Sequence, residues 1–170
     1  SRKNAPRKIS EIIDKVQLID HYGKPFKSST LKNKPSLLFF GFTNCPEICP
    51  TTLADLSEIT KEVTASINAI NIIFVTLDPI RDNKKHLKDY VQYFGSNIIG
   101  VTGDKVEIKK FAENWGVFYE TVNTSNNNYT LNHTATVFMI DELGNFRGTI
   151  SWGENKTSII QKINNLRKLN

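Results

Sequence analysis

Residues 36–67 read SLLFFGFTNCPEICPTTLADLSEITKEVTASI. The first seven, Ser36 to Phe42, form a continuous apolar run between Pro35 and a proline-rich segment, the pattern of a strand buried on both faces. From Thr51 to Ile67 the apolar residues Leu53, Leu56, Ile59, Val63 and Ile67 recur at helical spacing, so a helix follows that strand directly. Working outward, Asn71 to Leu77 and Ile98 to Val101 read as further buried strands. Asp82 to Phe94, capped by Asp82, and Asp104 to Trp115, stopped by Gly116, read as helices between and after them. Thr134 to Ile140 and Phe146 to Ile150 flank the turn Asp141 to Asn145 as a hairpin, and Thr157 to Leu169 is a closing helix. Val16 to Asp20, the turn His21 to Lys24 and the segment from Pro25 suggest a small N-terminal hairpin. The order is an α/β one: a central mixed β-sheet flanked by helices with an N-terminal β-hairpin extension, closer to a thioredoxin-like sheet than to a nucleotide-binding one, for there is no Gly-rich phosphate loop.

A chain of 170 residues accommodates one such domain, expected over residues 11–170 behind a flexible tail or linker stub at 1–10. No apolar run approaches the roughly 18 residues that cross a bilayer. The net charge of +5, from 22 Lys and Arg against 17 Asp and Glu, is spread out and not interleaved with stacking aromatics, which argues against a nucleic-acid partner.

The two cysteines, Cys45 and Cys49, are separated by three residues. Closing so short a loop constrains little of the unfolded chain, so chemistry explains the pair better than stability does. The pair lies between a buried strand and a helix, at the sheet edge where α/β sites are built. Thiols four positions apart can share a metal or form a disulfide. Pro46 and Pro50 are expected to hold both cysteines on a stiffened loop ahead of the helix, whose positive end favours thiolate. A metal would need a further donor. His21, in a polar turn, and His86, in the charged stretch Asn83 to Lys88, read as surface residues, whereas His133 precedes an apolar strand. Trp115, Phe111 and Phe118 read as core or helix-end packing.

GFTNCPEICP at Gly41 to Pro50, TLDPIRD at Thr76 to Asp82, FGSNIIGVTGD at Phe94 to Asp104 and LNHTATVFMIDELGNF at Leu131 to Phe146 together resemble the Sco/SenC family of cytochrome c oxidase assembly factors, over about Val16 to Lys168. The resemblance implies a thioredoxin-like fold that holds one copper, as Cu(I) or Cu(II), on Cys45, Cys49 and His133, with Asp78 close by. Two thiolates and an imidazole suit that metal. It further implies a metallochaperone for the CuA centre of oxidase subunit II, with other copper chaperones as partners and an N-terminal membrane anchor lying outside this chain. The location implied is the bacterial inner membrane facing the periplasm, or the mitochondrial inner membrane facing the intermembrane space. The chain departs from the family pattern where Asn132 stands in place of a common aspartate. The rival reading is a thiol–disulfide reductase, with Cys45 and Cys49 as catalytic thiols that keep the oxidase cysteines reduced. In the copper reading the polar stretch Val122 to Asn132, poor in apolar anchors, is expected to be mobile without metal and to become ordered when His133 coordinates.

Overall fold

The strand β2 (Ser36–Gly41) is buried at every position and lies at the centre of the sheet. The computed structural model describes residues 8–46, 48–64, 69–123, 129–133 and 136–167. β2 pairs in parallel with β3 (Asn71–Thr76) and antiparallel with β7 (Thr136–Ile140). β4 (Ile98–Gly103) lies parallel to β3, β1 (Leu18–Asp20) runs antiparallel to β4 at one edge, and β8 (Phe146–Ser151) pairs antiparallel with β7 at the other. The order β1-β4-β3-β2-β7-β8 makes the expected mixed sheet. Gly41 pairs with Thr76, and Val75 with Val101, so the parallel strands end along one edge, and the loops after β2 and β3 leave it side by side.

Both faces of the sheet are covered. Phe39 and Phe74, paired across β2 and β3, stack on one face, where Tyr90 of α3 (Lys84–Phe94) packs on Phe74 with ring centroids 5.6 Å apart. Phe40 turns to the other face and meets Phe111 of α4 (Lys105–Asn114) at 5.7 Å and Phe138 at 6.2 Å. Each such ring, fully removed from water, contributes about 1.5–3 kcal/mol before conformational entropy is charged against it. α5 (Lys156–Arg167) is tied to α2 (Ile48–Val63) by an ion pair of Lys156 with Glu62 at 2.8 Å. Among the described residues no helix is long and apolar enough to cross a membrane.

The junction of β8 and α5 rests on Glu154, whose carboxylate accepts from Ser158 Oγ at 2.6 Å, Lys162 Nζ at 3.0 Å and Ser151 N–H at 3.0 Å. The same ammonium of Lys162 donates to the Thr149 carbonyl of the edge strand at 2.8 Å. The Ser158 and Lys162 bonds hold the Glu154 carboxyl down at about 2, against an ordinary 4.5. A depressed carboxyl stabilises the fold above its unfolded value and loses that contribution as pH falls from 4.5 towards about 2. Denaturant midpoints measured across this window should fall with acidification in the parent, with a shallower slope in Glu154→Gln; equal slopes would remove Glu154 from the acid response.

Several elements differ from the sequence expectation. The chain is already packed at residue 8: Lys8 bridges to Asn145, Ile9 N–H donates to the Gly144 carbonyl at 2.6 Å, and α1 (Ser10–Ile13) follows. Residues 1–7 of the expected tail lie outside the described residues. The expected N-terminal hairpin is present but short: β1 joins the main sheet, and the chain returns past it through the Ile19–Pro25 bridge, with Asp20 N–H donating to the Lys24 carbonyl at 2.8 Å and Phe26 N–H to the Leu18 carbonyl at 2.9 Å. α2 begins at Ile48, earlier than expected, and its expected end at Ile67 lies outside the described residues. Asn83, not Asp82, caps α3, its side chain accepting from His86 N–H at 2.8 Å. The polar stretch after α4 contributes to a separate antiparallel pair that the sequence did not suggest, β5 (Tyr119–Asn123) with β6 (Tyr129–His133); residues 124–128 lie outside the described residues. Phe118, just before β5, is 71% exposed and is not core packing.

Candidate functional site: two thiols at the carboxyl edge of the sheet

Cys45 lies in the loop after β2, its N–H donating to the Phe42 carbonyl at 3.1 Å. Cys49 is the second residue of α2, inside the helix and not ahead of it. Pro50 causes no break there, because a first-turn residue has no intrahelical use for its N–H, and this tolerance outweighs the bias that a proline places on the residue before it. Both cysteines are buried thiols that form no disulfide. Cys49 Sγ sits over the backbone of Gly41, where an added Cβ would be only 2.6 Å from the sulfur.

The two side chains share a hydrogen bond, which together with burial pushes the Cys49 thiol far above its ordinary range, against the opposing effect of the Phe42 backbone bond. The expectation that the helix entrance favours thiolate therefore fails at Cys49. Desolvation and a neighbouring thiol outweigh the helix dipole, and the proton stays on Cys49 near neutral pH until a metal or an oxidant displaces it.

Asp82, fully buried, joins the two loops of this edge. Its Oδ2 accepts from Thr43 N–H at 3.0 Å and Thr76 Oγ1–H at 2.7 Å, and its Oδ1 from Thr43 Oγ1–H at 2.6 Å. Thr76 Oγ1 in turn accepts from Asp78 N–H at 3.0 Å. A hydroxyl has one hydrogen, and that of Thr43 is spent on Asp82. The 2.8 Å contact between Thr43 Oγ1 and His86 Nε2 therefore has the imidazole as donor, with its hydrogen on Nε2. His86 is exposed, as the sequence suggests, yet it reaches the loop that carries Cys45. Asp78 is buried beyond the end of β3 and is ion-paired with Arg81.

His133 closes β6, opposite Tyr119. Its side chain, like that of Asn132, lies outside the described residues, and Thr134, where the following strand was expected to begin, lies outside them too. Among the described residues no three His, Cys, Asp or Glu side chains converge as a ligand set; the described part of the site supplies the two thiols.

Sequence reading missed four residues. Thr43 and Thr76 carry no signal of their own, because hydroxyl partners of a distant aspartate leave no local pattern. Tyr90 Oη is buried with no hydrogen-bond partner among the described residues, and burial followed by the charges of Cys49, Cys45 and Asp82 raises its phenol out of the ordinary range. His21, expected at the surface, is buried, and its Nδ1 accepts from Gly100 N–H at 2.9 Å. The pairing of β1 with β4 carries it inward, and local composition does not encode that register.

A pair of reduced thiols spaced by three residues, held between a central strand and its following helix at the carboxyl edge of a mixed sheet, defines a thiol-bearing protein of thioredoxin-like fold. The SCO1/SenC family profile matches residues 4–168, and the chain belongs to that family. A SCO2-like protein of Rickettsia felis is 39% identical over 132 residues, covering 76% of this chain and 64% of that protein, so the chain spans a little under two thirds of that relative's length. Bradyrhizobium japonicum ScoI, solved with copper bound, superimposes with a TM-score of 0.80 at 32% identity, covering 89% of this chain and 96% of that one. Yeast Sco1, also solved with copper bound, gives a TM-score of 0.82 at 28% identity over 91% of this chain and 87% of that one.

Proposed function

We propose that this chain carries one copper ion on Cys45, Cys49 and His133, and that it delivers the metal to the CuA centre of cytochrome c oxidase, through subunit II, at the periplasmic face of a bacterial inner membrane. The observation that supports this most is the pair of adjacent reduced thiols at the edge of the sheet. Two soft sulfur donors suit Cu(I), and one imidazole completes a three-ligand set that an acceptor's thiols can displace stepwise. Asp82 holds the Cys45 loop through Thr43, and the Arg81–Asp78 pair occupies the neighbouring loop. Ile80 and Trp152, 74% and 49% exposed, follow β3 and β8 on this side of the sheet and offer apolar contact for transient docking.

Copper titration of the reduced protein under anaerobic conditions, with X-ray absorption, tests the ligand set. One copper per chain with sulfur and nitrogen donors, and affinity at least about tenfold weaker in His133→Ala, is the expected result. Because Cys49 keeps its proton at neutral pH, loading must release it, so apparent affinity should climb by up to about tenfold per pH unit for each thiol displaced. A flat pH profile would mean that the thiols are not the ligands.

The shared hydrogen bond of the two thiols also favours a second reading, a thiol–disulfide reductase acting on the oxidase cysteines. The raised Cys49 thiol makes that residue a poor attacking nucleophile and weighs against it. Unweakened copper binding in His133→Ala, together with disulfide reduction by the parent, would make the reductase the better account.

A further inference from the structure

α3 starts beside Asp82, at the edge of the sheet that carries the thiols, and runs away from that edge between the parallel strands β3 and β4. A helical side chain leans towards the N-terminus of its own helix, so Tyr90, in the second turn, leans back towards the thiol edge. Its ring packs on Phe74 at 5.6 Å and on Phe94 at 5.1 Å. Phe74 leads on to the sulfur: Phe74 Cε1 and Cys49 Sγ lie 2.8 Å and 2.6 Å from one point above Gly41, where a Cβ would stand. Tyr90, Phe74 and Cys49 therefore share one face of β2 and β3.

The Tyr90 hydroxyl is buried there and has no hydrogen-bond partner among the described residues. A buried donor without an acceptor is uncommon and calls for a reason. The carboxylate in this region is already taken, for Asp82 accepts three hydrogens from Thr43 and Thr76. The charges that act on the phenol are those of Cys49, then Cys45, then Asp82, which agrees with a hydroxyl turned towards the thiols and not towards the outer side of α3. A protonated thiol is a weak acceptor, and the Cys49 thiol keeps its proton near neutral pH. A thiolate is a strong acceptor, and a buried one needs a donor.

We infer that Tyr90 is a positioning residue for copper loading: its Oη–H donates to the Cys49 sulfur once that thiol has given up its proton, and so orients the sulfur that holds the ion. The inference rests on the copper reading of the two thiols. The step it assists is an exchange without electron transfer: the S–H bond breaks, its proton passes to the buffer, a sulfur–copper bond forms, and the phenol keeps its own proton.

The test sets Tyr90→Phe beside Tyr93→Phe, the same change at a residue 84% exposed on the same helix. Phenylalanine preserves the packing on Phe74 and Phe94, and the hydroxyl it removes has no partner in the metal-free protein, so the denaturant midpoint of reduced, metal-free Tyr90→Phe should equal or exceed the parent's. Affinity for Cu(I), titrated anaerobically against a chromogenic chelator, should move the other way and fall about tenfold. Tyr93→Phe should change neither. In the parent, with tyrosine Cζ isotopically labelled, the Tyr90 resonance should shift on loading while that of Tyr93 stays in place. With Cu(II), the thiolate-to-copper charge-transfer band should lie at longer wavelength in Tyr90→Phe, because the sulfur has lost a donor. A parallel fall in stability and affinity, with an unmoved charge-transfer band, would reduce Tyr90 to packing and overturn the inference. If the parent loads copper on sulfur while Tyr90→Phe matches it in affinity and spectrum, the assignment of Tyr90 fails alone; if the parent takes up no copper on sulfur, the copper reading fails and the inference with it.

Discussion

Gly41→Ala should lower stability by about 3 kcal/mol, a large effect for the addition of one methyl group. A Cβ at this position would lie 2.6 Å from Cys49 Sγ, 2.8 Å from Phe74 Cε1 and 3.3 Å from Phe39 Cε1. None of the three neighbours can withdraw. Cys49 is fixed on α2, and Phe74 is wedged between Phe39, at 5.9 Å, and Tyr90, at 5.6 Å. Relief must come from moving α2 away from β2, which separates Cys49 from Cys45. Denaturant unfolding reads the loss of stability, and the rate of Cys49 alkylation in native buffer, expected to rise, reads the displaced helix. A variant within about 0.5 kcal/mol of the parent, with its thiols equally protected, would show that Cys49 does not rest on this glycine.

Asp82→Ala is expected to cost about 3–5 kcal/mol, because it removes a buried carboxylate and leaves Thr43 N–H, Thr43 Oγ1–H and Thr76 Oγ1–H without an acceptor. Asp82→Asn separates shape from charge. An amide fills the space but has one acceptor oxygen, and its NH2 must face a donor, so it should restore part of the stability without restoring the loop. Hydrogen exchange at the amides of Thr43 to Cys45 should accelerate in both variants, while amides of β4, at the far side of β3, change only with global stability. Unaltered exchange in that loop would show that its position does not depend on the carboxylate.

What the sequence discloses and what it hides follow from the range of the interactions involved. The run Ser36 to Phe42 announces its strand because burial on both faces leaves no polar position. The cysteine pair is equally plain, because spacing and flanking prolines are local. Asp82 shows the limit. Read locally, an aspartate ahead of a helix is a cap, yet it bonds Thr43, 39 residues away in sequence, and leaves the cap to Asn83. The pairing of β5 with β6 is hidden for another reason. Tyr119–Asn123 carries no alternation of apolar and polar residues, and the alternation in Tyr129–His133 rests on Tyr129 and Leu131 alone, too short a run to stand out from a polar stretch. That pairing fixes the backbone of His133 at the end of β6, where sequence reading expected a polar loop leading into a strand.

The bond from Lys162 to the Thr149 carbonyl has a consequence for the protein in concentrated solution. β8 is the outermost strand on its side of the sheet, and a bare outer strand invites a second molecule to zip onto it. Here an ammonium already occupies one of its carbonyls, and the register of β8 against β7 slips between Met139 and Ile140, breaking the regularity that a template needs. The side of the sheet remote from β1 is thereby protected against fibrillar self-association.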